Sequence, residues 1–574
     1  MADTDRAGSP NATDASRTLG STRQALTNAL GQPIVFDGTS TPVKAALFIL
    51  VCLAWLLPGL VGRDPWKPDE AANFGVIHSI LQGEGWIVPA IVGVPYLEYP
   101  PFAAWVASTF ATLLSPWLPL HDGARLASGF WVALTMWFCA RAAMELSDER
   151  AGRIAALTLL GCWGLLLRGH EISFALPPMA GAAIAFHGLA VLDRQPRHAT
   201  RWMALGAAIV ALSAGLMPAV LCLLPVVVMM AWRAAWRRTA VQRALGISLV
   251  VLFAAAALWP ILIWRDGTVP LDRWLPTALG IQTLAATGRP FEPTYFLRIL
   301  PWYALPALPI ALWIWLKDRR VLGERPELQL PLVTFCVLLV GLSLSRDPRD
   351  DMALPLLIPL VVVAVQALDR LPRGLASFVD WLGLVTFVFI AGLLWSGWAG
   401  VVTGVPRGAA RWAARQAPGY IHELSWIAFT IAALLTIVWL FAVLRTRRTH
   451  RRAIVNWCAG MTLIWMLANL LWLPAIDHVR SYRSTAAAIK TALPTGAECL
   501  GQIHLGDPQR AAFHYHAGLT FKPVASLDEA TCGLVLIQGV RDRAPTVPAG
   551  WHLIWDGARP GDQAERFRLY VRRG

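Results

Sequence analysis

Apolar runs, each close to the length of a membrane span, recur between residues 44 and 473 and restrict the fold more than any other feature. A helix needs about 20 apolar residues to cross the roughly 30 Å hydrocarbon core of a bilayer. Barrel strands would alternate apolar and polar residues, and these runs do not. Helices that satisfy their own backbone hydrogen bonds are therefore the only spans the chain can form in lipid. The charge content agrees, at 15% of 574 residues, against about 25% in soluble domains. The expected fold class is an all-α polytopic membrane protein.

The runs place spans at 44–61, 126–140, 154–167, 176–192, 202–216, 219–232 and 244–264, then at 300–316, 328–344, 353–368, 378–400, 425–444 and 454–473. That makes about thirteen. A further run at 102–120 is interrupted by Pro116 and Pro119. Basic residues gather in alternate loops: Arg141, Arg150 and Arg153; Arg194, Arg197 and Arg201; Arg233, Arg237, Arg238 and Arg243; Lys317, Arg319, Arg320 and Arg325; Arg370 and Arg373; and Arg445 to Arg452. Cytoplasmic loops carry this excess, so these loops face the cytoplasm. If 102–120 crossed the membrane, every one of them would face outward. That segment therefore reads as an interfacial or re-entrant helix, and the C-terminus as external. The formal net charge of +14 is topology in this reading. No basic face with interleaved aromatics lies outside the spans, so no nucleic acid is expected as a partner.

Three regions follow. Residues 1–42 are rich in Ser, Thr, Asn, Gly and Asp and read as a disordered cytoplasmic tail. Residues 43–474 form the transmembrane domain, with a first external loop at 62–125. From 475 to 574 charge, Gly and Pro return, and runs at 533–537 and 567–571 look like strands of a small α/β domain. Cys499 and Cys532 are the two cysteines outside apolar segments. In an oxidising compartment they are expected to pair.

The external face then holds Asp69, Glu70, Glu98 and Tyr99, followed by Arg168, His170 and Glu171. It also holds the loop Ser345-Arg346-Asp347-Pro348-Arg349-Asp350-Asp351 and, between 407 and 423, Arg411 and Arg415. Polar residues beside spans are costly and mark function. Arginines near carboxylates at one interface suit a phosphate-bearing lipid, held by charge-assisted bidentate contacts while a carboxylate handles a proton. Each residue also has a plain reading. Asp69 and Glu70 can be the acidic first turn of a helix. Arg346 and Arg349 can be interfacial anchors, and His170 can be structural.

The stretch Trp66-Lys67-Pro68-Asp69-Glu70, then Gly85-Trp86-Ile87-Val88-Pro89, then Gly93-Val94-Pro95-Tyr96-Leu97-Glu98-Tyr99-Pro100-Pro101 resembles the first periplasmic loop of the aminoarabinose transferase family. Arg125-Leu126-Ala127-Ser128 is similar to that family's Arg-Leu-Pro-Ser. The family modifies lipid A and stands with the protein O-mannosyltransferases among GT-C glycosyltransferases. The resemblance implies a GT-C bundle in a bacterial inner membrane, with the active site and C-terminus in the periplasm. It implies a polyprenyl (undecaprenyl) phosphate-sugar donor and an acceptor that is lipid A, another glycolipid or a protein. By resemblance, Asp69 is the general base or positioner of the acceptor. Glu70 supports the loop or holds a divalent metal ion, if one is used. Tyr96 lines the donor cleft, and Arg346 and Arg349 take the phosphate.

The chain departs from the family in three places. Tyr99 stands where the family has the lysine of Glu-Lys-Pro, Leu176-Pro177-Pro178 where it has Asp before Pro, and Met217 where it has a later lysine. Glu171 is the candidate replacement for the missing Asp, with His170 beside it. Other readings are a transporter or flippase of a lipid-linked sugar, and an inactive relative that scaffolds envelope enzymes. Transporters place charges near mid-membrane and show internal repeats. Here the charges collect at one face.

Overall fold

Prolines stand at several of the places where the apolar runs break. The computed structural model describes residues 42–282, 290–317, 325–368, 370–421, 423–445, 451–495, 499–541 and 545–572; residues 1–41 of the expected tail lie outside them. The run expected at 102–120 is the helix Phe102–Leu114. At 13 residues it is about 20 Å long, shorter than a hydrocarbon core. The chain turns through Pro116 and Pro119 and continues as Leu120–Leu146, 27 residues, longer at both ends than expected.

The run at 154–167 is two helices, Glu149–Leu160 and Trp163–Arg168. The run at 300–316 is not one straight span. Tyr295–Tyr303 and Ala307–Lys317 meet at 111°. Pro306, at the break, has no N–H to continue the ladder. The run at 353–368 begins as a 3-10 turn over Asp350–Leu356, which contains Pro355, before the helix Leu357–Leu368. Among the described residues six helices are long and apolar enough to cross a membrane, or seven with the bent pair taken as one span. Five shorter apolar helices accompany them, including Leu176–Val191 and Leu216–Trp232.

Small residues bring the helices close. A Cβ built on Gly206 would lie 2.3 Å from the backbone nitrogen of Ala185, so helices Pro196–Ala214 and Leu176–Val191 touch backbone to backbone. Such contacts replace the hydrophobic drive that lipid does not supply.

Residues 500–572 carry a five-stranded sheet in the spatial order Lys522–Pro523, Leu500–Ile503, Leu534–Val540, Glu565–Arg572, Trp551–Gly557. The first three strands are parallel and the last two join antiparallel. Helix Asp507–Ala517 follows the first strand in sequence. Cys499 and Cys532, which precede two neighbouring parallel strands, are disulfide-bonded. This unit is not a loose appendage. A Cβ on Gly75 would sit 2.5 Å from the Cβ of Ala511, so helix Asp507–Ala517 lies directly on helix Asp69–Leu81. Phe74 meets Tyr515 edge to face with centroids 4.7 Å apart, a favoured aromatic geometry. Lys67 reaches Asp562 at 3.2 Å and Glu565 at 3.0 Å.

Candidate active site

Helix Asp69–Leu81 begins at the motif itself, with Asp69 and Glu70 in its first turn. Carboxylates there face the positive end of the helix dipole. Gly83, with φ +90°, closes it, donating its N–H to the Ile80 carbonyl at 3.0 Å. Residues one apart on a helix point about 100° apart, and the two carboxylates meet different surroundings.

Glu70 points into protein. Its Oε1 accepts from Arg125 Nε at 2.7 Å, Arg63 Nη2 at 3.1 Å and the Ile172 N–H at 3.2 Å. Its Oε2 accepts from Arg63 Nη1 at 2.5 Å and the Trp66 N–H at 3.1 Å. Burial opposes the charged form, but Arg125 and Arg63 outweigh it and hold Glu70 down at about 2. Five donors occupy both oxygens, so Glu70 braces the loop and presents no lone pair to a metal ion. Arg125 also donates to Asp122 at 2.6 Å, and Arg63 to the His170 carbonyl at 2.7 Å. One buried network thus joins the first loop, helix Leu120–Leu146 and the loop at 169–175.

Asp64 extends the network to the C-terminal unit. It accepts from Arg483 Nε at 2.9 Å and from Ser481 Oγ at 2.6 Å. Against the cost of burial, these bonds hold it near 2. Asp477 accepts from the Asp64 N–H at 3.0 Å and from Trp66 Nε1 at 2.8 Å.

Asp69 points outward, with its side chain 51% exposed. Its Oδ2 accepts from Arg168 Nη1 at 2.9 Å. Arg168 also grips Asp350 with two nitrogens, at 3.2 and 2.7 Å, and lies 3.5 Å from Glu171. Burial, then the charge of Glu70, pushes Glu171 up to about 7, against Arg168 and Arg63. Tyr99 donates to Asp351 Oδ2 at 3.3 Å. Burial and then Asp351 raise the Tyr99 phenol well above its ordinary value. The other Asp351 oxygen is buried without a partner among the described residues. Arg349 pairs with Glu98 at 2.9 Å and Asp347 at 3.4 Å. Burial and Glu98 raise Tyr96.

The structure therefore brings Asp69, Glu171, Tyr99, Arg349 and Tyr96 into one chain of contacts through Arg168, Asp350, Asp351 and Glu98. Arg346 is exposed and has no hydrogen bond or ion pair among the described residues. His170 is buried, with Nε2 2.8 Å from the Trp55 carbonyl and its ring 4.2 Å from Trp465, so it is a packing residue. Among the described residues no group of three or more His, Cys, Asp or Glu side chains is placed to hold a metal ion. Reasoning from sequence did not single out Arg168, Asp350 and Asp351. The signal was the three acids of the loop 345–351, Asp347, Asp350 and Asp351, set among its two arginines.

No protein-family model matches the chain. It is 27% identical over 364 residues to the undecaprenyl phosphate-alpha-4-amino-4-deoxy-L-arabinose arabinosyl transferase of Pectobacterium carotovorum, covering 59% of this chain and 62% of that protein. It is 32% identical over 139 residues to the transferase of that name from Pectobacterium atrosepticum, 24% of each chain. The match to the first relative thus spans less than two thirds of its length. In fold the chain is similar to ArnT from Cupriavidus metallidurans bound to undecaprenyl phosphate, with a TM-score of 0.67 and 18% identity over 92% of this chain and 98% of that one. The chain thus resembles the aminoarabinose transferases in sequence and shares the fold of ArnT.

Proposed function

We propose that the protein is a GT-C glycosyltransferase that moves a sugar from a polyprenyl-phosphate donor to an acceptor hydroxyl at the outer face of the bacterial inner membrane. The observation that carries this reading is the division of labour between neighbours. Glu70 is locked in a buried network, while Asp69 stands exposed on the same rigid turn with one oxygen held by Arg168. A carboxylate so placed has a fixed position and a lone pair free for a reactant.

The acceptor hydroxyl attacks the anomeric carbon of the donor and its proton passes to Asp69. The new C–O bond forms as the bond from that carbon to the phosphate oxygen breaks, and the electron pair leaves on the phosphate. Inversion at the carbon follows from one displacement. The phosphate leaves without protonation where cations compensate its charge. Arg349 and the exposed Arg346 are the cations on that loop. Tyr96 and Tyr99 line the donor side.

About thirteen spans make the bundle, with the short apolar helices other than Phe102–Leu114 and the helices Glu149–Leu160 and Pro196–Ala214 included. The C-terminal unit is periplasmic, docked over the first loop. The acceptor is lipid A, another glycolipid or a protein. The test is transfer of label from a radiolabelled polyprenyl-phosphate sugar to envelope lipid or protein by the purified enzyme. Absence of transfer from every such donor, by folded protein, would overturn the reading.

A further inference from the structure

Arg168 uses its two edges on different carboxylates. Nε and Nη2, which share one edge of the guanidinium, donate to Asp350 Oδ2 and Oδ1 at 3.2 and 2.7 Å. Nη1, on the other edge, donates to Asp69 Oδ2 at 2.9 Å and lies 3.5 Å from Glu171. The pair with Asp350 is the two-bond fork that matches a guanidinium to a carboxylate and fixes the plane of both. It is also the more sheltered pair, with the Asp350 side chain 29% exposed against 51% for Asp69. A sheltered pair is screened less by water and salt. Asp350 therefore holds Arg168, and Arg168 in turn holds Asp69.

Both ends of the fork rest on packed structure. Asp350 opens the 3-10 turn Asp350–Leu356, in which Ala353, Leu354 and Leu356 are buried, and the turn leads into the buried helix Leu357–Leu368. Arg168 ends helix Trp163–Arg168, in which Gly164, Leu165 and Leu166 are buried. The neighbours of Asp350 are tied as well, Arg349 to Glu98 at 2.9 Å and Asp351 to the Tyr99 hydroxyl at 3.3 Å. Asp350 is thus a fixed point. An arginine released from it would be free to turn the same two-nitrogen edge onto Asp69 and occupy both oxygens. A general base needs a lone pair open to the incoming proton.

We infer that Asp350 is a positioning residue for sugar transfer: it takes the forked edge of Arg168, so that Arg168 offers Asp69 a single N–H and sets the direction of that carboxylate. The inference rests on Asp69 as the proton acceptor. Asp350 acts through Arg168, which separates its role from the one proposed for Arg349 in the same loop.

The experiment is a mutant cycle on the purified full-length protein, with the radiolabelled polyprenyl-phosphate sugar as donor. Misplacing a group by about 1 Å costs about 10²-fold, so D350N should lower kcat by about that factor. KM for the donor should stay near native, since the lost interaction serves the transition state. R168Q should lower kcat at least as far, and R168Q/D350N should fall no further. Two separate structural effects would multiply instead. The double variant leaves neither charge unpaired, which keeps the test decisive if D350N does not fold. D350E keeps the charge and displaces it by one methylene, so it should also lower kcat, whereas a merely structural ion pair predicts the native value. D69N at the native rate would remove the base and the inference with it. D69N inactive with D350N or D350E at the native kcat, or a double variant well below R168Q, would overturn the inference alone.

Discussion

Asp69 and Glu70 are consecutive residues, yet the Asp69 side chain is 51% exposed and the Glu70 side chain 1%. The exposed one meets Arg168 and the buried one meets Arg63 and Arg125. A single helical step separates a group available for chemistry from a group consumed in holding the loop.

Asp69→Asn should abolish most transfer and leave the fold intact. Loss of a positioned base lowers rate by about 10²- to 10⁴-fold. A half-exposed site changes stability by only about 0.5 kcal/mol. Label transfer and thermal unfolding of the same preparation check both halves. Full activity in the variant would remove Asp69 from the mechanism.

Glu70→Gln should do the opposite, failing first in stability. Removing the charge leaves Arg63 and Arg125 buried beside an uncompensated site, at a cost of about 3–5 kcal/mol. The native protein should show the matching pH dependence. Glu70 is held at about 2, below its unfolded value, so its contribution is present above about 4.5 and is lost as the pH falls toward 2. Unfolding midpoints measured from pH 6 downward should fall in the native protein and be flatter in the variant.

Glu171 should titrate in the working range. Its folded value is raised to about 7, above the unfolded value. The stability it contributes is therefore present below about pH 4.5 and is lost as pH rises toward 7. In Glu171→Gln the stability change across that window should shrink. A pH–rate profile for transfer should lose an inflection near 7 if Glu171 ionisation tunes Arg168 and Asp69. An inflection retained in the variant would assign it to another group.

Gly75→Val should loosen the C-terminal unit. The added Cβ would stand 2.5 Å from that of Ala511, and overpacking of this kind costs about 1–3 kcal/mol. Limited proteolysis should cut the variant sooner between the last span and the sheet. Equal protection would mean the two helices are held by other contacts.

Much of the site was legible in the chain itself because its motif is local. That Asp69 and Glu70 share one loop with the Tyr96–Tyr99 stretch follows from their place between the first two expected spans. Resemblance carried the reaction class. Arg168, Asp350 and Asp351 were not legible as partners, since Arg168 lies 99 residues from Asp69 and Asp351 lies 252 from Tyr99 in sequence. A charge-assisted bond across such a distance has no sequence period. The break at 300–316 and the starting point of helix Leu120–Leu146 also depended on packing around prolines, which hydropathy averages away.

The sequence by itself determined the membrane class and the acidic start of the first loop helix, because apolar length and helix-dipole preference are local properties of the chain. Only the tertiary structure decided which of two adjacent carboxylates is free. That choice depends on where Arg63, Arg125 and Arg168 arrive from distant segments, and a buried charge persists only where such partners converge.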